Sequence, residues 1–214
     1  MENILQKMAS RLYDGDKEQV IDLVQQALDQ GIVPAEILDE GLIASMDKVG
    51  QGFKDGNLFV PEVLIAARAM QAGMDILRPL LVKSNVSSAG RCVIGVMKGD
   101  LHDIGKNLVK MMLEGAGFET IDLGTDVHPE TFVDAVRNHQ PKIVGMSALL
   151  TTTMPQMKAT IEALEEAGLR GSVRIMVGGA PLTDAFAKQI GADAYAPDAA
   201  TAVDAARSLM GLDK

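Results

Sequence analysis

Lys98-Gly99-Asp100-Leu101-His102-Asp103-Ile104-Gly105-Lys106-Asn107 is the stretch on which the reading of this chain turns. It follows an apolar run at 92–97 and leads into an amphipathic segment at 105–116, so a strand gives way to a helix through a glycine-bearing turn. In open parallel sheets, ligands settle at the carboxyl edge of the strands, where this turn would lie. The turn carries one imidazole, His102, between two carboxylates, Asp100 and Asp103. A metal-ligating imidazole places one nitrogen on the metal and donates the N–H of the other to a nearby acceptor. Asp100, two residues back, suits that acceptor, which makes His102 a candidate metal ligand. The plainer alternatives are that His102 caps the helix or faces solvent, and that Asp103 caps the helix that follows.

Working outward, five short β-branched runs at 92–97, 120–123, 143–147, 173–177 and 194–196 alternate with helical stretches at 105–116, 129–139, 154–167, 183–190 and 199–210. Strands alternating with helices of this length imply a parallel sheet covered on both faces. The expected fold is an α/β doubly wound, five-stranded parallel sheet of flavodoxin-like order. In such a sheet the loops after strands one, three and four share an edge. They bring together Asp100, His102 and Gly105; Ser147, Leu149, Thr151 and Thr153; and Gly178 with Gly179. Thr153 is placed to hydrogen-bond Asp100 and extend a relay, and glycines let backbone pass close to a bulky ligand. Taken singly, a Gly-Gly pair is a turn and the hydroxyls satisfy loop backbone. No Gly-x-Gly-x-x-Gly and no Gly-x-x-x-x-Gly-Lys-[Ser/Thr] follows the first strand, which argues against a dinucleotide or a phosphate-loop ligand. His128 and His139 flank the second helix of this half and read as surface residues.

The first half has a helical period throughout. Ile4, Leu5, Met8 and Leu12 share one face, and Val20, Leu23, Val24 and Leu28 share the next. Two further helices are expected at 34–51 and 61–81, which together make an N-terminal four-helix bundle. The expected organisation is a helical domain over 1–83, a linker over 84–90 rich in Ser and Asn, and the α/β domain over 91–214.

Composition narrows the function. At 214 residues and 47% hydrophobic content, the chain has ample material for packed cores. A formal net charge of −9 spread along the sequence, with no Trp, argues against nucleic acid and against anionic membrane surfaces. The single cysteine, Cys92, allows neither an internal disulfide nor a cysteine-based metal cluster. No signal peptide and no run of about 20 apolar residues is present, so a cytoplasmic location is expected.

Asp100-x-His102-x-x-Gly105, then 41 residues, Ser147-x-Leu149, then 28 residues, and Gly178-Gly179 resembles the cobalamin-binding signature of cobalamin-dependent methionine synthase, corrinoid methyl-carrier proteins and some mutases. The helical half is similar to that family's cap, most clearly over Phe53-Lys54-Asp55-Gly56-Asn57-Leu58-Phe59-Val60-Pro61. The resemblance implies that His102 is the lower axial ligand of cobalt in a cobalamin or related corrinoid, backed by Asp100 and Thr153. Gly99, Leu101, Asp103, Ile104 and Gly105 would accompany it. Ser147, Leu149, Thr151, Gly178, Gly179 and Ala199 would line a slot for the displaced tail, and Phe53, Val60 and Val63 would shield the upper face. It further implies a methyl carrier, itself non-catalytic, cycling between Co(I) and methyl-Co(III). The implied partners are a substrate-specific methyltransferase, a methylcorrinoid:acceptor methyltransferase serving coenzyme M or tetrahydrofolate, and a reductive activase. Two alternatives stay open at this point, the cobalamin-binding subunit of an adenosylcobalamin-dependent mutase and a cobalamin-based sensor.

Overall fold

The α/β half is built on one sheet whose five strands are all parallel: β1 (Gly90–Val96), β2 (Phe118–Asp122), β3 (Ile143–Ser147), β4 (Arg174–Gly178) and β5 (Ala194–Ala196). The computed structural model describes residues 3–83 and 88–212. The chain divides into two compact units, Met1–Ser88 with Glu114–Gly117, and Ala89–Leu113 with Phe118–Lys214. The linker expected over 84–90 falls on residues 84–87, which lie outside the described residues, and Gly90 already opens β1. No helix among the described residues is long and apolar enough to cross a membrane.

In the helical unit, α1 (Ile4–Tyr13) starts at a capping box in which Asn3 and Gln6 satisfy each other's backbone. The N-cap Asp16 accepts from the Gln19 N–H to start α2 (Lys17–Asp29). The expected third helix is one right-handed run of three parts: α3 (Pro34–Glu36), a π-helical stretch over Ile37–Ile43, and α4 (Ala44–Lys54). The π stretch, absent from the sequence expectation, lies where Gly41 comes so close to α1 that a Cβ there would stand 2.8 Å from Met8 Sδ. Apolar spacing alone does not separate a widened turn from a regular one. α5 (Val60–Lys83) completes the unit and packs on α2.

In the α/β unit the strand order is β2-β1-β3-β4-β5, the flavodoxin-like order expected. The helices are α6 (Ile104–Gly115), α7 (Pro129–His139), α8 (Pro155–Glu166), α9 (Asp184–Ile190) and α10 (Ala199–Leu209). β1 is buried continuously from Cys92 to Val96 and β3 from Ile143 to Met146, as strands covered on both faces must be. Phe132, Val144, Met157, Leu164 and Ile175 anchor the core of this unit, each fully buried. The backbone register aligns Val96 with Ser147, Ser147 with Gly178, and Gly178 with Ala196. Four strands therefore end on one level, and the loops that leave them share one edge.

Candidate functional site

Asp100 organises that edge. It leaves β1 through Gly99, whose φ of +83° is a left-handed conformation glycine adopts without strain. Its carboxylate is fully buried yet accepts from five donors. One oxygen takes the backbone N–H of His102 at 3.1 Å and faces His102 Nδ1 at 2.7 Å. The other takes the N–H of Leu149 at 2.7 Å, the N–H of Leu150 at 3.2 Å and the Thr153 hydroxyl at 3.0 Å. Burial pushes this carboxyl's pKa up, but the hydrogen bonds from Leu149, His102 and Thr153 outweigh it and hold the group well below the usual carboxylate range.

An ionised carboxylate only accepts, so the Nδ1 facing it carries a proton. His102 Nε2 is then left with its lone pair outward, on a side chain that is 53% exposed. The ring is aimed and its tautomer set as a ligating histidine requires. Asp103 immediately precedes α6 and accepts from the side-chain amide of Asn107 at 2.9 Å, a local structural role. Among the described residues, no group of three or more His, Cys, Asp or Glu comes together to hold a metal ion. A lone imidazole with an open ligating nitrogen therefore suits a metal that arrives already chelated.

The surroundings fit a broad, apolar group over His102. Leu101 is 72% and Ile104 78% exposed, and Leu149 and Leu150 beside them are exposed as well. A Cβ built at Gly105 would meet nothing within 4 Å, so the first turn of α6 is open on that side. At the next strand ends the backbones lie much closer. A Cβ at Gly178 would stand 2.9 Å from the Ala196 carbonyl oxygen, and one at Gly179, with φ +134°, would stand 1.9 Å from that of Ala148. Thr151 is exposed, Ser147 half-buried and Ala199 buried. Leu149 enters the site through its N–H, because the loop after β3 turns its amides toward Asp100. In the helical unit Phe53 and Val60 are half-buried, Val63 is fully buried and Phe59 is 66% exposed.

Some participants escape sequence reading. The Leu150 amide reaches Asp100, and the Leu150 carbonyl accepts from Thr153 at 2.9 Å, contacts made by backbone and so independent of side-chain type. Lys106, buried in the first turns of α6, pairs with Asp122 at the end of β2, which also draws Lys110 to 3.6 Å. The loop after β2 joins the turn through Asp126, since the strand order puts β2 against β1. The pair Gly124-x-Asp126, both of turn-favouring type, was the available signal.

Two family models, each described as a B12 binding domain, match residues 90–206 and 4–78. Trimethylamine corrinoid protein 1 of Methanosarcina acetivorans is 43% identical over 211 residues, covering 98% of each chain. Dimethylamine corrinoid protein 1 of the same organism is 43% identical over 210 residues, again 98% of each. Among solved structures, a cobalamin-binding protein from Desulfitobacterium hafniense matches with a TM-score of 0.81 and 32% identity, covering 96% of this chain and 98% of that one. The methanol:cobalamin methyltransferase complex of Methanosarcina barkeri matches with a TM-score of 0.87 and 29% identity, covering 99% of this chain and 81% of the matched one. With both units matched, the chain belongs to the B12-binding family of corrinoid proteins.

Proposed function

We propose that this protein carries a methyl group on the cobalt of a bound cobalamin or related corrinoid between two methyltransferases. The observation that carries the reading is the chain Thr153–Asp100–His102, which fixes the imidazole and leaves Nε2 free. When bound, the corrinoid supplies a cobalt centre that accepts and releases the methyl group, and the protein supplies orientation and electrostatics. His102 would hold the cobalt through Nε2, while Asp100 keeps the Nδ1 proton in place. Should the imidazole come off the metal and gain a second proton, the same carboxylate would stabilise the cation. Gly105, Leu101 and Ile104 leave the room and the apolar surface that the ring needs. Ser147, Gly178, Gly179 and Ala199, at the adjoining strand ends, would line the slot for the displaced tail. Phe53, Val60 and Val63 belong to the helical unit that would shield the upper face.

The first partner would be a substrate-specific methyltransferase, and the second a methylcorrinoid:acceptor methyltransferase using coenzyme M or tetrahydrofolate. A reductive activase would restore the reduced metal. Relatives named for trimethylamine and dimethylamine support a methylamine as the donor. Matches that span the helical half as well as the sheet favour a carrier over the mutase subunit or the sensor.

The test loads the full chain with hydroxocobalamin. The loaded protein is reduced and offered trimethylamine-, dimethylamine- and methanol-specific corrinoid methyltransferases, each with its donor. A visible-spectrum change to the methylated form with a methylamine system, reversed by an acceptor methyltransferase, is the expected result. Tight cofactor binding with no methylation by any of the three would overturn the carrier reading.

A further inference from the structure

The loop after β2 is hydrogen-bonded along the end of β1, the strand that leads into the His102 turn. The Leu123 N–H donates to the Ile94 carbonyl at 2.8 Å, the Val96 N–H to Gly124 at 3.0 Å, and the Val127 N–H to Val96 at 2.9 Å. At the end of this seam stands Asp126, an exposed residue with a left-handed φ of +55°. A non-glycine residue in that region costs free energy and points to a constraint worth explaining. Its backbone N–H donates to the Asp100 carbonyl at 3.0 Å. Its Oδ1 accepts from the Gly99 N–H at 2.7 Å. The Asp100 N–H is already spent on Met97, and that of His102 on the Asp100 side chain. Asp126 therefore takes up two further polar groups of this turn, the Gly99 N–H and the Asp100 carbonyl.

We propose that Asp126 is a positioning residue: it clamps the Gly99–Asp100 turn and thereby fixes the direction in which His102 presents Nε2. The inference rests on the reading of His102 as the lower ligand of the corrinoid cobalt. The left-handed backbone at residue 126 is what lets one residue reach both groups, with its amide turned to Asp100 and its carboxylate to Gly99. Asparagine keeps an acceptor oxygen and tolerates the left-handed region. Glycine keeps the backbone conformation and loses the acceptor, and alanine loses the acceptor and strains the backbone.

The experiment compares Asp126→Asn, Asp126→Gly and Asp126→Ala with the wild type in the full chain. In the apo proteins, Gly99 amide exchange and the His102 imidazole nitrogen shifts are measured by NMR. In Asp126→Gly and Asp126→Ala, Gly99 exchange should accelerate about three- to tenfold, the worth of one hydrogen bond, and the wild-type Nδ1–H tautomer should give way to a mixture. Asp126→Asn should match wild type in both. With hydroxocobalamin reduced to the Co(II) form, the nitrogen splitting from His102 in the EPR spectrum should broaden for Gly and Ala and return for Asn. Wild-type Gly99 exchange and His102 shifts in both the Gly and the Ala variant would overturn the proposal. Asp126→Gly keeps it falsifiable should Asp126→Ala fail to fold. A wild-type Co(II) spectrum without protein nitrogen splitting would instead sink the axial-ligand reading, while the apo measurements still judge the clamp.

Discussion

Replacing Asp100 by asparagine removes one charge and almost no volume, and the structure sets what that costs. Five donors point at the carboxylate, and asparagine offers a single oxygen opposite an NH2 group. If the oxygen faces Leu149, Leu150 and Thr153, the NH2 faces the His102 backbone N–H, which is orphaned, and His102 Nδ1. If the amide is turned round, the N–H groups of Leu149 and Leu150 are orphaned together, while Thr153 retains its bond to the Leu150 carbonyl. The first arrangement costs one backbone donor and the second two, so the first should win. An orphaned donor and the loss of charge-assisted bonds together predict about 2–4 kcal/mol of destabilisation. The winning arrangement also makes Nδ1 an acceptor, which moves the imidazole proton to Nε2, the atom proposed to ligate. Hydroxocobalamin affinity should then fall about 10–100-fold. Urea unfolding of the apo protein, imidazole nitrogen shifts and a cofactor titration read the three effects separately. An Asp100→Asn protein within about 0.5 kcal/mol of wild type, with its proton still on Nδ1, would refute the reasoning.

Other consequences are equally open to measurement. Gly105→Ala puts a methyl group into open space on the first turn of α6. The apo protein should therefore gain about 0.5–1 kcal/mol of stability while corrinoid binding weakens, and unchanged binding would mean that the ring lies elsewhere. Gly179→Ala, with its Cβ 1.9 Å from a backbone carbonyl oxygen and φ at +134°, should destabilise the α/β unit by about 3 kcal/mol or more, seen as a lower thermal midpoint or as insoluble protein. Cys92 is buried and burial pushes its thiol up to about 12, so thiol reagents should label it only on unfolding. For pH, Asp100 is held below its ordinary value, so the unfolded chain binds its proton first as pH falls. The stabilisation is present above about pH 4 and is lost on acidification below it. Asp122, pushed up by burial but drawn down further by Lys106, adds in the same direction. Urea midpoints from pH 7 to pH 3 should fall more steeply for wild type than for Asp100→Asn; parallel profiles would exclude Asp100 as a source.

How much of this was legible beforehand depends on which atoms carry the information. The strands at Ile143–Ser147 and Ala194–Ala196 and the helix at Pro129–His139 match their expected limits, because side-chain period and turn residues mark them in the sequence. His102 with Asp100 was legible because two residues on one turn must be neighbours. Thr153 was reached only by supposing that the loops after β1 and β3 meet, and the strand order makes them meet. The π-helical stretch over Ile37–Ile43 was not legible, since apolar spacing does not separate a widened turn from a regular one.

By itself, then, the sequence determined the residue types, the alternation of strands and helices, and the pairing of His102 with Asp100, because each depends on neighbours along the chain. Tertiary structure alone decided that Asp100 is buried under amides from Leu149 and Leu150, and that Asp126 from the far side of β1 grips the turn. Those contacts join a backbone N–H of one segment to a carboxylate of another, some 27 to 50 residues away. Every residue but proline carries the same N–H, so only the path of the chain decides which of them point at one carboxylate.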